Sequence, residues 1–247
     1  MTAAPQIPLR LVESLRKVDR VAVLTGAGTS AESGIPTFRQ AQTGLWSQFS
    51  PEELATPMAF AENPKRVWEW YAWRRELVTK ARPNPGHLAL AQLARRFPQF
   101  TLITQNVDGL HQQAGSQEVL ELHGNILRTK CSREGRVVEK WTDTPAVPPP
   151  CPHCGAHLRP DVVWFHEALP QETLDRAMAA AASCQVFFSI GTSTVVSPAA
   201  DLPFIAIRNG AVIVEINPEP TPLTESADYV LAGPSGMVLP ELLTCLA

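Results

Sequence analysis

The sequence predicts an α/β fold: a Rossmann-like doubly wound parallel sheet with a smaller lobe made of a helical insertion and a zinc-ribbon-like insertion. Three observations predict it. Short apolar runs stand at Val21–Leu24, Phe100–Ile103, Val186–Ile190 and Val212–Ile216, with weaker ones at Val119–Leu122 and Tyr229–Leu231. Continuous apolar runs of this length suit strands buried on both faces. Helical patterns lie between them, at Leu9–Val18, Asn63–Lys80, Gly86–Arg96, Gln171–Ser183, Ala199–Asn209 and Leu239–Leu246. The alternation breaks twice, once from about Gln40 to Arg82 with helical patterning and once from about Ile126 to Leu158, where cysteines cluster. The chain is therefore read as a single domain over 1–247, with a large lobe of 1–39, 83–125 and 159–247 and a small lobe of 40–82 and 126–158. A ligand belongs in the cleft between the lobes.

Composition narrows the function. Charges nearly cancel, with 21 Lys+Arg against 24 Asp+Glu, which argues against nucleic-acid binding as the main task. No apolar run approaches the roughly 20 residues that span a bilayer, so no membrane role is expected. The first residues hold no apolar stretch of signal-peptide type, so the default address is cytoplasmic. The five cysteines are odd in number and three of them cluster, unlike a disulfide framework. Nothing forces a dimer, and a monomer is the default.

The first strand runs into Gly26-Ala27-Gly28-Thr29-Ser30-Ala31-Glu32-Ser33-Gly34. Gly26 and Gly28 let the backbone turn tightly and approach a pyrophosphate. Gly34 comes too late for G-x-G-x-x-G, and the next sheet strand is more than sixty residues away. A dehydrogenase places that strand and its ribose-binding acid about 20 residues on. Nucleotide binding is favoured and hydride transfer is not; the loop alone also reads as a plain turn. The second strand leads to Gln105-Asn106-Val107-Asp108, whose side chains can hydrogen-bond an amide and sugar hydroxyls, or simply cap a helix. The next candidate strand leads to His123, a candidate general base.

In the helical insertion, Tyr71 and Arg74 stand three residues apart and can share a helix face. A phenol and a guanidinium aimed into an apolar pocket suit a carboxylate. The same spacing describes an amphipathic helix whose arginine snorkels. Cys151-Pro152-His153-Cys154 is a C-x-x-C knuckle, and Cys131 lies twenty positions upstream. Three thiolates can hold a structural zinc with Glu134, His153, His157 or water as the fourth ligand, or the site can be degenerate and hold none.

Together the segments GAGTSAESGIPTFR (26–39), TQNVDGLH (104–111), ELHG (121–124), RPDVVWF (159–165), GTS (191–193) and INPEPT (216–221) resemble the sirtuins, the NAD-dependent protein lysine deacylases. The resemblance implies NAD as co-substrate, bound by Gly26, Ala27, Gly28, Ser30, Glu32, Phe38, Arg39, Gln105, Asn106, Val107 and Asp108 on one side. It implies Gly191, Thr192, Ser193, Asn217, Pro218, Glu219 and Ser235 around the adenosine half. Catalysis falls to His123, Asn106 and Asp108: the acyl oxygen attacks C1′ of the ribose, nicotinamide leaves, and His123 takes a proton from a ribose hydroxyl. The acyl group ends on ADP-ribose. Tyr71 and Arg74 look like the signature of class III sirtuins, which prefer succinyl-, malonyl- or glutaryl-lysine, and Ala55 matches the small residue that leaves room for a longer acyl chain. Acyl-lysine proteins or peptides are the implied partners, with Val162, Val163 and Phe165 pairing with the substrate backbone by strand addition. The implied metal is a structural zinc on Cys131, Cys151 and Cys154, Glu134 being one candidate for the missing ligand. His166 stands where the family usually has glycine. The alternatives are a deacetylase without acidic-acyl preference, a mono-ADP-ribosyltransferase, and a non-enzymatic NAD-binding module.

Overall fold

A computed structural model describes residues 6–36, 49–50, 53–142 and 145–247. Helix α1 (Leu9–Leu15) leads into strand β1 (Arg20–Thr25), and a short helix α2 (Ala27–Ala31) follows at once. Helices α3 (Pro57–Glu62) and α4 (Pro64–Lys80) form the first insertion, and α5 (Pro85–Leu93) returns the chain to β2 (Gln99–Thr104). Then come α6 (Leu110–Gln113), β3 (Val119–Glu121), β4 (Gly124–Cys131), β5 (Leu158–Val162), α7 (Gln171–Ser183), β6 (Val186–Ile190), α8 (Leu202–Arg208), β7 (Val212–Asn217), β8 (Tyr229–Ala232) and α9 (Ser235–Leu246).

Six strands form one parallel sheet in the order β3-β2-β1-β6-β7-β8. Period-two alternation sends neighbouring side chains to opposite faces, and both faces are covered. Val21 and Val23 of β1 join Val186, Phe188 and Ile190 of β6 in a core closed by α1, α5 and α9. Ala22, Leu24 and Phe187 face the other way, into a core closed by α7 and α8. That is why the strand runs read as unbroken apolar stretches. Strands β4 and β5 pair antiparallel and carry the cysteine module at their far end.

The helices around the first insertion share one local device. Thr56-Pro57, Asn63-Pro64 and Asn84-Pro85 each place a side-chain acceptor at the N-cap and a proline, which needs no N–H partner, in the first turn. The caps accept from Ala59 N at 3.0 Å, Arg66 N at 3.0 Å and Gly86 N at 2.9 Å.

Two sequence expectations need correction. The segment Val162–Phe165 is not a strand: β5 ends at Val162, and the amides beyond it turn to other partners. Helix α9 begins at Ser235, not Leu239, because Glu32 accepts from Gly236 N at 2.7 Å and draws the first turn into place from across the fold. Among the described residues no helix is long and apolar enough to cross a membrane.

At the carboxyl ends of β1 and β6 the loops touch through bare backbone. Gly28 N donates to Gly191 O at 2.8 Å and Gly26 N to Ile190 O at 2.9 Å. A Cβ on Gly26 falls 2.7 Å from Thr192 Cα, and one on Gly191 (φ 59°) collides with Thr29 N. The glycines are thus required first by the neighbouring loop. Gly191→Ala is expected to cost about 2–3 kcal/mol from strain and displacement, lowering Tm by roughly 5–10 °C in a domain of this size. A melt within about 1 °C of wild type would mean the loops separate freely.

Candidate active site

Strand order reverses between β1 and β6, and ligands of such sheets bind in the crevice beyond the carboxyl ends at that point. Four strand ends are tied together there. Gln105 Nε2 donates to Thr192 Oγ1 at 2.8 Å, Asn217 Nδ2 donates to Thr192 O at 3.1 Å, and Gly191 N donates to Ile216 O at 2.9 Å. Ser193, Pro218 and Glu219 are exposed along this rim. The loop after β7 is held from beneath by buried Glu215, which accepts from the hydroxyls of Thr221 and Thr224. Phe38 and Arg39 lie outside the described residues.

A buried polar cluster lies on the β2 side. Asn106 Nδ2 donates to Ser30 Oγ at 3.0 Å, Ser30 Oγ donates to Asp108 Oδ2 at 2.7 Å, and Asp108 Oδ1 accepts from Leu110 N at 2.9 Å. The three predicted side chains therefore act as one unit, with Val107 half-buried between them. Burial raises the Asp108 pKa above the usual carboxylate value, against hydrogen bonds from Leu110 and Ser30 that lower it. His87 and His111 both lie against this cluster. Their rings lie 4.8 Å apart; His111 Nε2 meets Thr25 Oγ1 at 2.9 Å and His87 Nε2 meets Ser30 Oγ at 3.4 Å. Burial lowers their pKa values to about 4 for His87 and about 3 for His111, so both rings stay neutral.

Not every cofactor candidate behaves alike. Ala27 is exposed at the start of α2, and Gly26 is buried beneath it. Glu32 spends its carboxylate on the first turn of α9, where Ser235 is buried. Ser235 was legible only as part of a turn.

His123 follows β3 and sits half-buried in the crevice. Its Nδ1 lies 3.0 Å from Gln105 O. A carbonyl only accepts, so Nδ1 carries the hydrogen and Nε2 keeps its lone pair. Desolvation lowers the His123 pKa from 6.5, partly offset by the Gln105 bond. The ring is a neutral base at neutral pH.

Across the crevice, Ala55, Tyr71, Val162 and Trp164 pack in one apolar cluster with Ile126 and Phe60. Trp164 Nε1 donates to Tyr71 Oη at 3.1 Å. Burial pushes the Tyr71 phenol up to about 12. Arg74 is half-buried, with its guanidinium carbon 5.0 Å from the Trp70 ring. Burial lowers its pKa, while Tyr71 and Asp108 both act on it electrostatically to raise it. Phe165 is exposed. Val163 N donates to His123 O at 2.9 Å, Trp164 N to Glu167 Oε2 at 2.8 Å and Phe165 N to Ala55 O at 2.9 Å. These amides are already engaged within the chain. His166 has φ 70°, the left-handed region that favours glycine.

In the cysteine module, Cys131, Cys151, Cys154 and Glu134 bring one ligand atom each to within 4.8 Å of one another. Cys131 Sγ and Cys154 Sγ are 3.4 Å apart. Ligands 2.3 Å from a tetrahedral centre lie roughly 3.8 Å apart, so this donor set fits zinc. His153 and His157, weighed as the fourth ligand, are outside the group; His157 packs edge-on against Phe60 instead.

A sequence model of the Sir2 family matches residues 26–198. An NAD-dependent protein deacylase of Aquifex aeolicus is 57% identical over 209 residues, covering 84% of this chain and 87% of that protein. The structure of a Sir2 homologue in complex with NAD superposes with a TM-score of 0.91 at 47% identity, covering 100% of this chain and 96% of the other. A Sir2 complex with a p53 peptide and NAD superposes at 0.85 and 30% identity, covering 97% of this chain and 98% of the other. With more than half its length inside the family's sequence model and its whole fold shared with a family member, this chain belongs to the Sir2 family.

Proposed function

We propose that this protein removes acyl groups from protein lysines at the expense of NAD, with preference for the acidic acyl groups succinyl, malonyl and glutaryl over acetyl. The deacylase names of close relatives and the NAD-bound relative support the general reaction. The observation that carries the acyl preference is the Tyr71–Arg74 pair: a buried, protonated phenol and a half-buried guanidinium three residues apart on α4, with burial disfavouring the charged form of each. A desolvated cationic donor beside a neutral one recognises a carboxylate better than a methyl group. Ala55, buried in the same cluster, leaves volume for the longer chain.

NAD supplies a ribose C1′ activated by its nicotinamide leaving group. The chain's own contribution is division of labour around it. Asn106, Asp108 and Ser30 offer a prearranged set of donors and acceptors to the carboxamide and ribose. Gly191, Thr192, Ser193, Asn217, Pro218, Glu219 and Ser235 frame the adenosine end. His123 Nε2 takes the proton from a ribose hydroxyl, its ring held by the Nδ1 hydrogen bond. Val162, Val163 and Phe165 border the acyl-lysine. Zinc, held by Cys131, Cys151, Cys154 and Glu134, serves as a structural staple of the small lobe and takes no part in the chemistry.

Three outcomes test this. His123→Ala is expected to lower nicotinamide-coupled deacylation about 10²–10⁴-fold. In wild type, kcat falls as His123 gains a proton, so the acid limb lies below the ordinary histidine value of 6.5; a limb above that would remove His123 as the base. Arg74→Met is expected to cut the succinyl-to-acetyl ratio of kcat/KM at least tenfold, the effect of roughly 1.5–3 kcal/mol for a charged hydrogen bond. An unchanged ratio would leave the carboxylate role without support. Purified protein is expected to hold about one zinc per chain, and Glu134→Ala to surrender it at chelator concentrations that wild type withstands. Equal retention by the two proteins would take Glu134 out of the ligand set.

A further inference from the structure

The acyl pocket has a feature that its two polar residues do not account for: Trp164 is aimed at Tyr71 and is itself clamped. Arg159 Nη1 donates to Glu167 Oε1 at 2.6 Å and Nη2 to Glu167 Oε2 at 2.8 Å, and Arg159 Nη2 also reaches Val162 O at 2.9 Å. Arg159 is buried, and its guanidinium carbon lies 3.2 Å from the centroid of the Trp164 ring. Glu167 Oε2 accepts from Trp164 N at 2.8 Å, and Glu167 N donates to Trp164 O at 3.1 Å. The indole is therefore held on both its backbone and its face. A bidentate arginine–carboxylate pair against an aromatic ring gives a fixed geometry. Among the described residues this clamp shares no hydrogen bond with the tied strand ends or with the Asn106–Asp108 cluster.

What it does is orient one proton. An indole N–H can only donate, so Tyr71 Oη is the acceptor of the 3.1 Å bond. A phenol hydrogen prefers the ring plane and has two positions, one on either side of the oxygen. The oxygen lone pair that accepts from the indole cannot also carry the hydrogen, so the hydroxyl hydrogen is directed away from Trp164. Among the described residues the phenol donates to no acceptor. Its hydrogen is thus held ready for an incoming group that accepts.

We propose that Trp164, clamped by Arg159 and Glu167, is a positioning residue for acyl specificity: its indole N–H fixes the Tyr71 hydroxyl as a donor to the carboxylate of the acyl chain. This rests on the acidic-acyl reading above. Acetyl-lysine has no carboxylate there and gains nothing from the orientation.

The test uses Trp164→Phe, which keeps an aromatic ring and loses the N–H, beside Tyr71→Phe and the double variant. Steady-state kinetics are read with matched succinyl-lysine and acetyl-lysine peptides. Trp164→Phe is expected to raise KM for the succinyl peptide about fivefold relative to the acetyl peptide, the scale of one neutral hydrogen bond. The double variant is expected to lose little beyond Tyr71→Phe alone, because both remove the same donor. The indole N–H resonance of Trp164 is expected to move in Tyr71→Phe. Equal losses on the two peptides, or additive losses in the double variant, overturn the proposal while the acidic-acyl reading stands. A wild-type enzyme with no succinyl preference overturns both. If Trp164→Phe does not fold, Tyr71→Phe decides by the same readouts: an unmoved Trp164 resonance overturns the proposal.

Discussion

Backbone contact between the loop after β1 and the loop after β6 underlies the whole site. Gly26 and Gly28 lie against Gly191 and Thr192 with no room for a side chain on the glycines. Because the loops meet as backbone, their amides and carbonyls pair, and Gly28 N and Gly191 O become one hydrogen bond. Thr192 then presents its hydroxyl to Gln105 and its carbonyl to Asn217. Four strand ends are thereby registered to one another before any ligand arrives. A larger residue would separate them and unlink each of these contacts in turn. The glycine-rich loop is usually explained by approach to a phosphate. Here its first requirement is met by the protein itself, and the open surface above it is a consequence.

The buried cluster beside this platform is costly unless it is saturated. Asp108 is in a place that favours its neutral form, and it is satisfied by Ser30 and by the amide of Leu110. Ser30 is shared by Asn106, Asp108 and His87, so its hydroxyl sets the direction of three side chains together. The neutral state of His87 and His111 follows from their burial. Groups that read as separate motifs along the chain are one hydrogen-bonded body.

Legibility followed range. The six sheet strands were readable because strands buried on both faces need continuous apolar runs. Tyr71 and Arg74 could be paired on a face from spacing alone, and the burial of Tyr71 among Ala55, Val162 and Trp164 is seen only in the fold. The bond from Trp164 to Tyr71 spans 93 residues and left no local trace. The start of α9 was misplaced for the same reason, since its tie to Glu32 spans 204 residues. The extended stretch Val162–Phe165 has strand composition, yet its amides go to His123, Glu167 and Ala55 on three different elements. Composition reports burial, and pairing depends on which partner arrives. In the cysteine module spacing left Glu134, His153, His157 and water open as the fourth ligand, and a turn in which Glu134 N donates to Cys131 Sγ at 3.4 Å brings the glutamate round.

The groups proposed for chemistry and those proposed for specificity lie on different elements, and a series of contacts links them. His123 and the Asn106–Asp108 cluster sit on the large sheet, whereas Tyr71 and Arg74 ride on α4. That helix is anchored to the antiparallel pair by Arg75, whose Nε donates to Ile126 O at 2.8 Å and whose Nη2 reaches Thr129 Oγ1 at 3.3 Å. Arg128 in turn bridges Glu121 of the large sheet and Asp161 of β5. Exposed ion pairs add little stability, but a chain of directional contacts from β3 through β4 to α4 limits how far the acyl pocket can drift from the base. On the proposed reading, one turn of α4 selects the acyl group, and residues on other elements carry out the chemistry. On the proposed reading, the Tyr71–Arg74 turn can vary in sequence without disturbing the platform of strand ends, provided that the anchor at Arg75 is kept.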